Sequence, residues 1–306
     1  MADNNDWQLD FSKYTFDFVK RLSDFLITKR FCDAAFQIRG KRVSFHRVIL
    51  AASCTYFCDL LKETCELDSK SREIDINLDE SQLKDDLENL LSYVYACGNQ
   101  GDFDNQYSMT VIWSGPKLMK ELDKMRLRKE FCDVLLKLND DIFPAHRVVL
   151  AAGSSYFYSL FTSDMKEKGQ PLVEIVLPEL SVTQDMLRYI YTGSVHICDA
   201  NAFELWIAAD YLLLEELKNQ CYLFLESTLS VSNCLSIHFF AKYYGLDQLQ
   251  NITRQFTEEN FNELVKTEDF LQLSACELDA LTSSHDLHVP DEQIVCESLM
   301  TCVSTT

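Results

Sequence analysis

The chain has 306 residues, 47% of them hydrophobic, and carries 48 acidic against 28 basic side chains, a formal charge of −20. That length suits roughly two domains with real cores, and the acidic balance argues against the clustered Lys and Arg on which non-specific nucleic-acid binding rests. With 8 Gly and 5 Pro the chain is neither collagen-like nor largely disordered, and no apolar run approaches the ~18–20 residues of a membrane span. The opening MADNNDWQLD lacks the basic and apolar regions of a secretory signal, so the twelve cysteines read as reduced thiols, not disulfides.

The first element is a leading helix, FDFVKRLSDFLI, with a candidate apolar face in Phe16, Val19, Leu22 and Leu26. FCDAAFQIRGKRVSFHRVILAASCTYF follows, and reads as a strand, a turn at Arg-Gly-Lys, a second strand and a buried helix. Cys54 and Cys58 stand i, i+4 apart with Cys65 beyond; without a paired Cys/His knuckle they read as small buried hydrophobes and not as zinc ligands. REIDINLDESQLKDDLENLLSYVYACG then supplies a strand and a helix.

A second leading helix, KLMKELDKMRLRKEF, places Leu118, Met119, Leu122 and Met125 on one face. FCDVLLKLNDDIFPAHRVVLAAGSSYF repeats the earlier stretch at an offset of 100 residues, sharing Phe-Cys-Asp, His-Arg-Val, Leu-Ala-Ala and Tyr-Phe; such self-similarity marks a duplicated unit. Here the hairpin turns at Asn-Asp-Asp, and a Gly-Ser-Ser break separates two short helices, the second carrying Phe157 and Phe161. PLVEIVLPEL is a strand, and SVTQDMLRYIYTG a helix capped by Ser181 or Thr183 and stopped at Gly193. Two more helices, in DANAFELWIAADYLLLEELKNQCYLFLESTL, have no counterpart in the first copy. The remainder reads as amphipathic helices. Ser232 or Asn233 starts one that Gly245 ends, with Leu235, Phe239 and Tyr243 on one face, and Phe270, Leu273 and Leu278 share another.

A helix, FCDV, a hairpin, the string F-x-A-H-R-x-V-L-A-A-x-S-x-Y-F, a strand with LPE and an IYTG helix together resemble the BTB/POZ domain, and the helices beyond resemble the BACK domain of Kelch-like proteins. The resemblance implies an α+β fold, helical with a small sheet in each BTB/POZ domain, followed by an all-α BACK domain. It divides the chain into an N-terminal tail (1–11), a first, incomplete BTB/POZ-like domain (12–98), a linker (99–107), a second, complete BTB/POZ domain (108–228) and a partial BACK domain (229–306). A Kelch propeller needs repeats of roughly 50 residues, and no sequence remains here to build one.

Asp133 with His146, and Asp33 with His46, have the composition of a base and its orienter, but no nucleophile is poised beside them. The Gly-Ser-Ser stretch is a helix break and not a G-x-S-x-G elbow. The chain is therefore read as no enzyme, with no cofactor and no metal. By resemblance, Asp33, Arg47, Asp133 and Arg147 match the structural charged pocket of BTB domains.

The same resemblance implies a non-catalytic adaptor of a cullin-3 ubiquitin ligase, cytoplasmic with the nucleus left open, that touches neither nucleic acid nor membrane. Its partners would be cullin-3, itself or other BTB proteins, and a ubiquitination substrate left unnamed. A BTB scaffold, a transcriptional regulator, or a Kelch-less partner competing with functional adaptors are the alternatives. The cullin contacts implied are Phe161, Met165, Glu167, Tyr191, Leu235, Phe239 and Tyr243. Each also has a plainer reading: Met165 as a core filler, Glu167 as a solvated charge, the others as core. The first copy reads Cys65-Glu66-Leu67 at the place of Met165-Lys166-Glu167 and is expected not to bind.

Leu118, Met119, Leu122 and Met125 would form an isologous dimer interface or pack on their own domain. The two units could also pair within one chain, since the stretch NQGDFDNQYSMTVIWSGP before the second leading helix, roughly 20 residues, reaches up to ~66 Å when extended. The trans dimer is the expected arrangement, because the interface of a complete unit is larger and more apolar than one made with a shortened copy.

Overall fold

The computed structural model describes residues 11–38, 41–67, 74–77, 94–95, 115–138, 141–163, 169–175, 182–271, 273 and 277–278. Two compact units divide at Lys218 and Asn219.

The first unit contains both copies. The first copy runs α1 (Phe11–Ile27), β1 (Ala34–Ile38), β2 (Lys41–Phe45), α2 (Arg47–Ser53), α3 (Thr55–Leu67) and β3 (Ile74–Asn77). The second repeats it as α4 (Gly115–Leu127), β4 (Val134–Leu138), β5 (Asp141–Ala145), α5 (Arg147–Gly153), α6 (Ser155–Thr162) and β6 (Leu172–Ile175). It continues with α7 (Thr183–Thr192), α8 (Ala202–Tyr211) and α9 (Glu215–Ser227), which leads into the second unit.

Each copy builds a three-stranded sheet with the first strand in the centre, antiparallel to the second and parallel to the third. In β4 the alternation is plain: Val134, Leu136 and Leu138 are buried while Leu135 faces out. Pro144 lies on β5, an edge strand, where its missing N–H costs no ladder bond to a further neighbour. α2 and α5 are apolar nearly all round, and Val48–Ser53 and Val148–Gly153 are all buried, as central helices require. The break between α5 and α6 falls at Ser154, whose hydroxyl accepts from the Phe157 N–H. Gly193 ends α7 with φ +71°, the left-handed conformation that favours glycine. The expected cap at Thr183 does not form: the N-cap of α7 is Val182, and Thr183 is its first helical residue. Ser181, the other expected cap, lies outside the described residues.

The two copies pack on each other reciprocally. α1 lies on α5 of the second copy, α4 lies on α2 of the first, and α1 and α4 cross. The units thus pair within the chain and not in the expected trans arrangement. A shortened copy suffices because the contact is made mainly by the leading helix and the central helix of each copy, and both copies keep these. The face Leu118, Met119, Leu122 and Met125, expected to serve a second chain, is buried inside this one, with α4 packed on its own α7 and on α1 and α2. On α1 the buried stripe is Phe18, Leu22 and Phe25. Of the expected face only Leu22 is fully buried, and Phe16 is 65% exposed. Two overlapping i, i+3/i+4 stripes exist on that helix, and tertiary packing selects the one that the sequence pattern alone does not single out.

The second unit begins within α9 and contains α10 (Cys234–Tyr243), α11 (Asp247–Glu259), α12 (Phe261–Leu264) and α13 (Glu268–Leu271). Asn233 is the N-cap of α10, but its side chain instead accepts from the Ser230 N–H and donates to the Thr228 carbonyl. Cys234, Leu235, Phe261, Leu264, Phe270 and Leu278 form its core, with Phe239 and Leu273 packed against it.

Candidate docking site

The repeated words encode one polar cluster in each copy. In the second copy His146 Nε2 lies 2.9 Å from the Glu130 carbonyl, so Nε2 carries the proton and Nδ1 is free to accept. The Tyr191 hydroxyl is 3.0 Å from Nδ1 and donates to it, and accepts from the His146 backbone N–H at 2.8 Å. The first copy repeats this with His46, the Arg30 carbonyl and Tyr95. The aspartates hold the starts of the central helices, Asp33 Oδ1 accepting from the Arg47 N–H and Asp133 Oδ1 from the Arg147 N–H. Arg47 Nε adds an ion pair to Asp33 at 2.8 Å. The Arg147 guanidinium lies over the Phe161 ring and donates to the Gln170 carbonyl.

Cys132 carries no site signal in the sequence beyond the repeated Phe-Cys-Asp, yet its Sγ stands 3.6 Å from His146 Nε2. Burial pushes the Cys132 thiol up to about 12 and the His146 imidazole down to about 4. A neutral thiol beside a neutral ring supplies neither thiolate nor imidazolium. Ser154, the nearest hydroxyl in sequence, donates to the Leu212 carbonyl.

The structure separates the expected cullin contacts. Tyr191 is 0% exposed with its hydroxyl committed to His146, and Phe161 is 4% exposed beneath Arg147. Both are core residues here and not surface anchors, because the hairpin and the central helix close over them. Leu235 is likewise core, at 3%. Phe239 is half-buried against that core and Tyr243 is 82% exposed, so the expected face runs from the core out to solvent and is not buried as a whole. α10 instead buries Cys234, Leu235, Ile237, His238 and Ala241, which turns Tyr243 outward. Met165 and Glu167 lie outside the described residues, as does the side chain of Cys65. Cys54 is buried and Cys58 half-buried, both as free thiols, and among the described residues no cluster of His, Cys, Asp and Glu could hold a metal.

Two repeated α+β units, each with a strand pair, a buried helix and a third strand returning parallel, are the observation that family comparison resolves. The family model described as the BTB/POZ domain matches residues 22–109 and again 122–229. The chain belongs to the BTB/POZ family. A second model, "BTB And C-terminal Kelch", matches residues 234–306, so a BACK domain follows the paired BTB units. Kelch-like protein 4 of human is 32% identical over 244 residues, 79% of this chain and 33% of that protein. Kelch-like protein 28 of mouse is 35% identical over 179 residues, 58% of this chain and 31% of that protein. The chain thus spans about a third of the length of these relatives. A solved BTB domain of zebrafish PATZ1 is 27% identical with a TM-score of 0.35, covering 42% of this chain and 100% of that one.

The His–Tyr pair predicts its own test in this BTB protein. Tyr191→Phe keeps the ring and deletes the hydroxyl, leaving two buried groups of His146 without a partner. The expected loss is about 1–3 kcal/mol of stability, read by urea denaturation. An unchanged midpoint would show that water replaces the hydroxyl.

Proposed function

We propose that the chain is a non-catalytic protein-interaction adaptor that docks a cullin-3 scaffold through its second BTB unit and the BACK helices that follow. The observation that carries this reading is the order of parts: a BTB match over residues 122–229 runs directly into a BACK match over 234–306, as in a docking platform of the Kelch-like kind. The cluster chemistry supports the non-catalytic half, since the one Cys–His contact in the second copy is held neutral on both sides. The acidic balance of the chain favours a partner that presents basic surface. Among the described residues no helix is long and apolar enough to cross a membrane.

With Tyr191, Phe161 and Leu235 inside the core, the contact falls to Met165 and Glu167 after α6 and to the exposed Tyr243 on α10. A flexible Met suits a groove in the partner, and an acidic group suits a basic neighbour. The alternative of a chain that competes for dimerisation is disfavoured, because the leading-helix face such a competitor needs is already covered by the first BTB unit.

The test is isothermal titration calorimetry with the purified N-terminal region of cullin-3. Met165→Ala combined with Glu167→Ala should weaken binding by about 2 kcal/mol or more, the scale of a lost interface anchor. Its thermal midpoint should hardly move, since neither residue belongs to the described core. No binding by the wild-type chain, or equal binding by the variant, would overturn the proposal.

A further inference from the structure

The two BTB units pair through matched positions that carry different residues, and the differences are complementary. Thr15 and Gly115 occupy the same position in the two copies, and they meet where α1 and α4 cross. A Cβ at Gly115 would lie 2.3 Å from Thr15 Cγ2. Two first units would set Thr against Thr, and two second units would leave Gly against Gly with nothing between.

A second asymmetry is the seat of Tyr14. Its hydroxyl donates to the Ile190 carbonyl at 2.9 Å, and its ring lies 4.9 Å from that of Tyr189. The seat exists because two glycines flank it. A Cβ at Gly153 would stand 2.7 Å from the Tyr14 hydroxyl, and one at Gly193 2.8 Å from Tyr14 Cδ1. The first copy has Ser53 where the second has Gly153, and the second copy has Ser114 where the first has Tyr14. Key and seat are therefore on opposite units.

Charge completes the pattern. The Arg21 guanidinium donates to the Ala152 carbonyl at 2.9 Å, and the matching residue of the second copy is Glu121, an acceptor. In a pair of second units, Glu121, which pairs with Lys124 and Arg128 of its own unit, would offer the Ala152 carbonyl no donor where Arg21 offers one. Lys62 pairs with Glu130 across the seam at 2.8 Å, and the matching residues are Thr162 and Arg30. In a pair of first units, Arg30 would face Lys62 with like charge. In this chain Arg30 lies over the Tyr158 ring instead, 5.5 Å from its centroid.

We propose that the two BTB units are complementary halves, and that Tyr14, Thr15, Arg21 and Lys62 on the first unit, set against Gly115, Glu130, Gly153 and Gly193 on the second, reserve the pairing face of the second unit for the first unit of the same chain. A pair of first units sets Arg30 against Lys62, a conflict the mixed pairing lacks, and a pair of second units leaves the Tyr14 seat empty on both sides and doubles the meeting of Glu121 with a helix-end carbonyl, which the mixed pairing makes once. The chain is then a closed pseudo-dimer that takes up neither a second copy of itself through that face nor the identical face of another chain. This does not depend on the scaffold proposed above.

The test uses the full-length chain. Sedimentation equilibrium over an about hundredfold range of concentration should give a single species of 35.4 kDa. Two differently tagged chains expressed together should not co-purify. A wild-type dimer or co-purification of the two tags would overturn the proposal. Arg21→Lys against Arg21→Met tests the donor of the first unit in the same chain. Lys keeps a donor for the Ala152 carbonyl and should hold the urea midpoint near wild type, while Met should lower it. Equal midpoints for the two would overturn the role of Arg21.

Discussion

Replacing Phe18 by alanine should destabilise the whole BTB pair by about 3–5 kcal/mol, the range for deleting a fully buried aromatic ring. Phe18 is 1% exposed and sits on the α1 face that lies against α5. Removing its ring leaves a cavity between the copies, and neither side can collapse into it. The central helix α5 is buried nearly all round, and α1 is held by Tyr14 on the Ile190 carbonyl and by Arg21 on the Ala152 carbonyl. The measurement is urea denaturation followed by circular dichroism. Since the ring belongs to the first copy and the groove to the second, both copies should lose stability in one transition. Two separate transitions, or a loss under about 1 kcal/mol, would show that α1 is an appendage to the second copy and not part of its core.

Acidification is expected to cost stability on a similar scale, starting near pH 6.5. Burial holds His146 at about 4 and lowers His46 as well, whereas an unfolded histidine takes its proton near 6.5. Between those values the unfolded chain binds more protons than the folded one, so stability is full above pH ~6.5 and falls as the pH drops toward 4. For His146 the loss is on the order of 3 kcal/mol, since a proton whose affinity falls tenfold on folding costs ~1.4 kcal/mol, and it flattens below about 4. Asp133 works the other way. Loss of hydration, with Asp33 nearby, raises its carboxyl to about 6, so it gains a proton on folding between its ordinary 3.8 and 6. Asp133 is nevertheless exposed as a residue, and water screens it more than it screens a histidine at 1% exposure. The histidines therefore set the slope. Asp133→Asn keeps an acceptor for the Arg147 N–H and removes the opposing group, so its urea midpoint should fall more steeply than wild type from pH 7 to 4.5. A midpoint that holds constant or rises in that variant would mean the histidines are charged in the folded chain.

Local chemistry made much of the fold legible in the sequence. The antiparallel strand pairs, the helix break before Ser155 and the left-handed stop at Gly193 each depend on a few adjacent residues. The duplicated strings reported a duplicated unit because identical words must solve identical local problems. The site was less legible, since its contacts are made across long separations. Tyr191 reads as a surface aromatic or a core one with equal ease until His146, 45 residues away, takes its hydroxyl. The buried stripe on α1 is hidden because Phe18 and Phe25 compete with Phe16, Val19 and Leu26 on one amphipathic helix, and only the partner face decides. Pairing within the chain does leave a signal in the sequence. It lies in the positions where the two copies differ, Arg30 against Glu130 and Ser53 against Gly153, and not in those where they agree.

The reach of Tyr14 also sets a clock. Its acceptor lies 176 residues further along the chain, and ribosomes add roughly 5–20 residues per second, so Tyr14 is added roughly 9–35 s before Ile190. Through that interval Phe18, Leu22 and Phe25 have no groove to enter and stand as an apolar stripe on a nascent helix. Newly made chains crowded on one message carry the same stripe at the same moment, each ahead of its own second unit. Slower synthesis lengthens that exposure, and is expected to lower the share of chains that reach the closed form.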